Sequence, residues 1–186
     1  MLLTRKDLTA AHFLAYTFCL EICQRFAPAG GKVLDFGSRY SKMPAILAAN
    51  GFDVTCYDRD PKVVEWQKDF RVVSALEQAG IVDAVTACWA VQHNAIEEMP
   101  GVLASIRNRL PAGGVVCLVG SWSRGDSYYQ AYRADPQWVL GRADYERLVA
   151  GMTVVEQRWF WYHHATVSGD WCDGSKANAT ALALVV

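Results

Sequence analysis

Apolar residues recur along the chain at two different periods, and the alternation between them predicts the order of elements. Leu8, Ala11, Ala15, Phe18, Cys19, Ile22 and Phe26 follow one another at spacings of three and four, which is one face of a helix. Thr4 and Asp7 give that helix a capping-box-like start, and Pro28 with Gly30-Gly31 ends it. Lys32 to Phe36 (KVLDF) is a short apolar run between the glycine pair and Gly37, the pattern of a buried strand. A helix capped by Ser41, with Pro44 in its first turn, closes at Asn50-Gly51. Asp53 to Asp58 (DVTCYD) is the second strand, Pro61 to Lys68 a short helix, Phe70 to Val73 the third strand, and Val82 to Trp89 the β-branched fourth. Ile96, Met99, Leu103, Ile106 and Leu110 keep helical spacing until Pro111 to Gly114 stop them before Val115 to Gly120, the fifth strand.

Strands alternating with helices predict right-handed βαβ units and a parallel sheet covered on both faces. After Asp135-Pro136 the rhythm changes. A helix over Arg142 to Ala150 is closed by Gly151, and two strand-like runs, Thr153 to Tyr162 and Ala177 to Val186, follow with no helix-length segment between them. Only an antiparallel pair fits so short a connection. The expected fold is therefore α/β: a doubly wound, mainly parallel sheet of about seven strands, with a C-terminal antiparallel strand pair and helices on both faces. No repeat, low-complexity tract or linker divides it, so residues 1–186 read as one domain. Its parts are an N-terminal helix (1–30), a strand–helix half (32–120), and a segment ending in the C-terminal hairpin (121–186).

Composition agrees with one well-filled core. Hydrophobic types make up 52% of the 186 residues and charged types 20%, and a chain of this length buries about 70% of its surface on folding. Eighteen basic against 19 acidic side chains leave a net charge of −1, which disfavours general binding to a phosphate backbone. Met1 to Leu8 lacks the apolar region of a signal peptide, and the apolar stretch Ala10 to Leu20 is too short for a bilayer. A cytoplasmic protein that uses no membrane is expected, with a homo-oligomer left open. The six cysteines contain no Cys-x-x-Cys pair and read as reduced, mostly buried thiols; Cys19 and Cys23 share a helix face. His163-His164 with Asp170, Cys172 and Asp173 fits no ligand spacing and reads as a polar hairpin loop, so no metal is expected.

The informative stretch is KVLDFGSRYSKMPAILAANGFDVTCYDRDP, Lys32 to Pro61. A strand ends at Asp35-Phe36, turns on Gly37 and enters a helix near Ser41, and a second strand ends in Asp58, 23 residues after Asp35. Such a turn and helix start present free backbone N–H groups to an anionic part of a ligand, while a carboxylate at the end of the neighbouring strand accepts both hydroxyls of a ribose. The outline is a site for a nucleoside cofactor.

In these residues the chain resembles the class I S-adenosylmethionine-dependent methyltransferases, which have a Rossmann-like fold. VLDFGSRYSKMPAILA resembles their first motif, whose strand-end acidic residue and glycine turn hold the methionine part of the cofactor; this implies roles for Asp35, Gly37 and Ser38. VTCYDRD resembles the second, implying that Asp58, with Arg59 beside it, binds the ribose. DAVTACWAVQH and RNRLPAGGVVCLVG resemble the fourth-strand motif and the helix, glycine turn and fifth strand that follow. The resemblance covers Lys32 to Gly120 and, beyond it, the element order. It implies S-adenosyl-L-methionine as cofactor and a small polar molecule as methyl acceptor, such as a sugar, a nucleotide-linked compound or a natural product.

Departures from the motif matter. Arg39 and Ser41 stand where the family's other two glycines would be, so Arg39 either points away from the cofactor or binds its carboxylate. Ser74 occupies the place of an acidic residue beside the adenine, and Trp89 at the end of the fourth strand walls the transfer site or is a plain core residue. His93, Asp126, Tyr128 and Tyr129 are the candidate catalytic bases by strand-end position. Ser121 to Leu140 mixes aromatic and polar residues in neither period and is expected to bind the acceptor, with Arg124 and Arg133 suited to an anionic group. Two other readings stand beside this one. A non-catalytic methyltransferase-like interaction module would explain the lost glycines, and an NAD-dependent oxidoreductase would share the strand-turn-helix logic but requires the missing Gly-x-Gly-x-x-Gly.

Overall fold

In the computed structural model, which describes residues 10–123, 125–131, 136–161 and 178–186, the alternation along the chain becomes alternation in space. Helix α1 (Ala10–Phe26) is followed by β1 (Lys32–Phe36), α2 (Met43–Ala49), β2 (Asp53–Tyr57), α3 (Val63–Trp66), β3 (Arg71–Val73), β4 (Ala84–Cys88), α4 (Met99–Arg107) and β5 (Val115–Trp122). Then come β6 (Tyr128–Gln130), β7 (Gln137–Val139), α5 (Arg142–Leu148), β8 (Thr153–Trp161) and β9 (Asn178–Val185). Seven strands form one sheet in the order β3-β2-β1-β4-β5-β9-β8. Strands β1 to β5 run parallel, and β9 lies antiparallel between β5 and β8. The sheet is the expected one, including its C-terminal antiparallel pair.

Two cores sandwich that sheet, one on each face. Along β5, Val115, Cys117 and Val119 point into the core shared with α1 and α2, while Val116 and Leu118 point into the core shared with α4 and α5. Along β9 the same period places Ala181 and Ala183 on the first face and Leu182 and Leu184 on the second. A strand covered on both faces must be apolar at successive positions, which is why these runs read as continuous rather than alternating. On the α1 face the strands offer small residues, Ala84, Cys117, Ala181 and Ala183, against the fully buried Phe18 and Ile22 of the helix.

Several elements are shorter than their patterns. Helix α4 begins only at Met99, with Pro100 in its first turn, because proline is favoured where no intrahelical N–H is needed. Ser121 to Leu140 contains a second antiparallel pair, β6 with β7, that sets Tyr129 opposite Trp138 and Gln130 opposite Gln137. Strands of three residues are too short to display a period, so no pattern marked them. No helix among the described residues is long and apolar enough to cross a membrane. The Thr4 and Asp7 cap, Arg124, Arg133, Tyr162, the His163-His164, Asp170, Cys172 and Asp173 group, and Ala177 lie outside the described residues.

Candidate functional site

Strand order reverses at β1, whose neighbours β2 and β4 are reached by the chain in opposite directions, and in such sheets a crevice opens beyond the carboxyl ends of the strands. A cleft of about 1270 Å³ lies there. From the ends of β1 to β3 it is lined by Gly37, Arg39, Ser41, Asp58, Arg59 and Ser74. From the end of β4 and the β6–β7 hairpin come Trp89, His93, Tyr129 and Gln137, with His12 and Tyr16 contributed by α1.

The floor depends on Gly37. Its φ is +78°, and a Cβ there would stand 2.3 Å from the Cβ of Ala90, so no side chain fits. The expected free amides of this turn are not found. The N–H groups of Gly37 and Ser38 both donate to the Tyr57 carbonyl, at 2.8 and 3.0 Å, and that of Arg39 donates to Asp58 Oδ2 at 3.2 Å. The loop folds back across the end of β2, and its donors are satisfied within the fold. The following helix starts at Met43 and has seven residues, with the Ser41 hydroxyl accepting the Met43 N–H at 3.1 Å.

Where the family's second and third glycines are absent, a side chain remote in sequence holds the loop. Buried Gln67 directs its amide nitrogen at the carbonyl oxygens of Ser38, Arg39 and Ser41, at 2.8, 3.2 and 3.0 Å. Nothing in the local pattern around Gln67 signals this, because its partners lie 26 to 29 positions away.

The two carboxylates differ sharply. Asp58, half-buried on the cleft, accepts from the Arg39 N–H through Oδ2 and from the Asp60 N–H through Oδ1 at 2.9 Å; each oxygen keeps a further lone pair. Asp35 is fully buried one layer beneath. Thr86 donates to its Oδ1 at 2.7 Å, and its Oδ2 has no hydrogen-bond partner. Burial pushes its pKa up to about 6, against the opposing hydrogen bond from Thr86. Ser38 itself is completely buried and spends its hydroxyl on the Asp35 carbonyl, so its side chain stands behind the cleft wall rather than on it.

Other sequence-derived candidates fall in varied places. The Arg39 guanidinium lies over the rings of Tyr40 and Trp66, 5.0 and 5.4 Å from their centroids, and 3.9 Å from Asp60. Its stem therefore borders the cleft while its charge is drawn outward. Arg59 reaches across the cleft to the His93 carbonyl and Asn94 Oδ1, at 3.4 and 3.5 Å. Ser74 lines the cleft and donates its hydroxyl to Gln78 Oε1 at 3.2 Å. Trp89 has a φ of +52°, unusual for a residue with a side chain, and its ring lies 4.9 Å from that of His12.

Of the four candidate bases, His93 and Tyr129 line the cleft, whereas Asp126 is solvent-exposed and neither it nor Tyr128 is among the lining residues. The Nδ1 of His93 lies 2.9 Å from the Pro136 carbonyl. A carbonyl only accepts, so Nδ1 carries the proton and Nε2 offers a lone pair. Gln137, next in sequence to Pro136, lines the same wall; its Nε2 reaches Ser121 Oγ at 3.4 Å and its buried Oε1 has no partner.

These features suit a nucleoside cofactor of the class I methyltransferase kind. The residues present fit that cofactor: Gly37 keeps the turn clear, Asp58 faces the cleft with lone pairs to spare, and Asp35 leaves a buried acceptor unfilled below. The volume exceeds that of one ligand pocket, leaving room for an acceptor as well. Comparison with known proteins agrees. The family model described as a methyltransferase domain matches residues 10–165, and the chain belongs to this family, whose cofactor is S-adenosylmethionine. A ubiquinone biosynthesis O-methyltransferase from Xanthomonas axonopodis pv. citri is 31% identical over 111 residues, which are 52% of this chain and 46% of that protein; the match spans about half the length of that relative. Among solved structures, the 1,6-didemethyltoxoflavin-N1-methyltransferase of Burkholderia thailandensis, with S-adenosylhomocysteine bound, superposes with a TM-score of 0.70 at 18% identity over 95% of this chain and 79% of its own. Coclaurine N-methyltransferase superposes with a TM-score of 0.71 at 12% identity over 92% of this chain and 72% of its own. At these identities the two structures share the fold.

Proposed function

We propose that this chain, acting as a single methyltransferase-like domain, transfers a methyl group from S-adenosylmethionine to a small polar acceptor, one in the broad class of sugars, nucleotide-linked compounds and natural products. The observation that carries the reading is the joining of the Gly37 turn to Asp58 through the Arg39 N–H, which fixes the ribose-binding carboxylate against the floor of the cleft. Held by Asp58 and the Gly37 turn, S-adenosylmethionine would supply a methyl group activated by its sulfonium.

The chain's own residues then have three tasks. Asp58 holds the ribose hydroxyls, and Gly37 with the loop braced by Gln67 sets how deep the cofactor lies. Trp89, His12 and Tyr129 wall the acceptor side and exclude water from it. His93 Nε2 stands ready to take a proton from an acceptor that needs to lose one.

Thermal unfolding with S-adenosylmethionine, S-adenosylhomocysteine or NAD tests the reading. At about 100 times Kd, a ligand of the native state adds roughly 2.7 kcal/mol, which raises Tm by roughly 5 to 10 °C for a chain of this size. A shift with both sulfur nucleosides and none with NAD is expected. No shift with any of the three would favour a non-catalytic interaction module, and a shift with NAD alone an oxidoreductase.

A further inference from the structure

Resting on the methyltransferase reading, the wall that carries His93 can be traced back to what holds it. We infer that Gln92 is a positioning residue for the transfer reaction: its buried amide takes the place of a backbone peptide at the end of the sheet, and so sets the turn from Trp89 to Asn94 on which His93 meets the cleft.

The inference starts from a ladder that ends early. Strand β4 pairs with β5 as far as Cys88 opposite Val119, and the Trp89 N–H still donates to the Val119 carbonyl at 2.8 Å. There the chain leaves the sheet, at the left-handed φ of Trp89, +52°, and closes a short helical turn over Val91–His93. Strand β5 runs on to Trp122. Its buried Ser121 is therefore left facing the space that a longer β4 would have filled. Gln92 fills that space. The Ser121 N–H donates to Gln92 Oε1 at 2.9 Å, and Gln92 Nε2 donates to the Ser121 carbonyl at 2.7 Å and to the Tyr145 hydroxyl of α5 at 3.1 Å. One side-chain amide thus supplies the acceptor and the donor that a neighbouring strand would have supplied.

Room for the amide comes from the residue before Ser121. A Cβ at Gly120 would stand 2.3 Å from Gln92 Oε1 and 2.6 Å from the Tyr145 oxygen, so only glycine there lets the amide reach β5.

The same turn serves the cleft. Gln92 is 2% exposed, whereas Ala90, His93 and Asn94 around it line the cleft, and Ala90 packs against Gly37. Fixing Gln92 therefore fixes the contact under the cofactor loop together with the backbone of His93, whose ring reaches the Pro136 carbonyl at 2.9 Å. That bond keeps the proton on Nδ1 and the lone pair on Nε2. Arg59 also ties the turn, through the His93 carbonyl and Asn94 Oδ1, but at 3.4 and 3.5 Å and from an exposed side chain. Long hydrogen bonds in water hold less than shorter ones in the core, so Gln92 is the tie that decides.

Nitrogen-15 NMR of the histidine rings tests the inference and needs no acceptor. At about pH 8, where an ordinary imidazole is neutral, the parent is expected to carry the His93 proton on Nδ1, with the signal identified by its loss in His93→Asn. In Gln92→Leu the proton is expected to spread over both ring nitrogens, the Nδ1–H share falling about twofold or more because the Pro136 bond no longer selects one tautomer. Gly120→Ala crowds the same amide from the β5 side and is expected to act likewise, which keeps the test decisive if Gln92→Leu fails to fold. The double variant is expected to shift His93 no further than Gln92→Leu alone, since both substitutions break one contact. A lowered Tm with His93 still on Nδ1 would make Gln92 a plain stabiliser of β5 and overturn the inference, as would mixed tautomers in the parent or additive shifts in the double variant. Calorimetric titration of S-adenosylhomocysteine into the parent keeps the two readings apart. Binding with an unmoved His93 removes this inference alone; no binding removes the methyltransferase reading, and with it the reaction for which His93 is positioned.

Discussion

At the scale of single residues, Asp35 concentrates the conflict between stability and binding. Its carboxyl sits in the core with one oxygen bonded to Thr86 and the other unmatched, and burial raises its pKa to about 6. Between the ordinary carboxylate value near 4 and this raised one, the folded chain holds a proton that the unfolded chain has released. Stability therefore falls as pH rises through that window and levels off above it, by about 2 to 3 kcal/mol for this group. Asp35→Asn keeps the acceptor for Thr86 and removes the charge. It is expected to raise unfolding free energy at pH 7 by about 1 to 3 kcal/mol in urea titration, with the gain disappearing near pH 4. If Asp35 serves the methionine part of the cofactor as the first-motif resemblance implies, the same variant should lose S-adenosylhomocysteine affinity by roughly tenfold or more, measured by calorimetry. A stabilised variant with undiminished affinity would remove Asp35 from the site. That Gly37 and Asp58 meet at one cleft was legible from residue type and spacing; that Asp35 lies beneath it was not.

Elements carry the next level of argument, and the loop between β1 and α2 shows it best. A motif lacking two glycines predicts either a displaced cofactor or a different way of shaping the turn. The structure has the second: Gln67, just after α3, collects three loop carbonyls on one amide nitrogen. Gln67→Leu is similar in size but leaves those carbonyls without their donor. Unmatched buried acceptors cost about 1 to 3 kcal/mol, so a fall in Tm of several degrees is expected in scanning calorimetry. A larger fractional loss of S-adenosylhomocysteine affinity should accompany it, with Gln67→Glu failing to rescue because a carboxylate has no N–H to give. An intact affinity in Gln67→Leu would mean that the loop holds its shape through Tyr57 and Asp58 alone. The β6–β7 pair makes a complementary point. Its strands are too short to announce themselves, yet they place Gln130 opposite Gln137 and bring Pro136 to His93.

For the whole molecule, the double coverage of the sheet sets the order in which it yields. Strands β1, β4 and β5 are flanked by strands on both sides and by a core on both faces, whereas β3 and β8 are edges. Native-state hydrogen exchange is expected to protect β1, β4 and β5 amides up to the global unfolding free energy and to release β3 and β8 earlier. Protection of β8 equal to that of β5 would show that its outer edge is covered in solution. The sequence by itself determined the alternation of strands and helices, the switch to an antiparallel ending, and the placing of Gly37 and Asp58 at neighbouring strand ends, where both line the cleft. Those features are written in period, in glycine and proline positions, and in spacing along one stretch of chain. Only the tertiary structure decided which amides of the turn were already satisfied, that Gln67 braces the loop, that Ser38 stands behind the wall and Asp126 out in solvent, and that His93 and Gln137 share a wall. Each of those depends on groups far apart in sequence brought within hydrogen-bonding distance, and local pattern holds no record of such meetings.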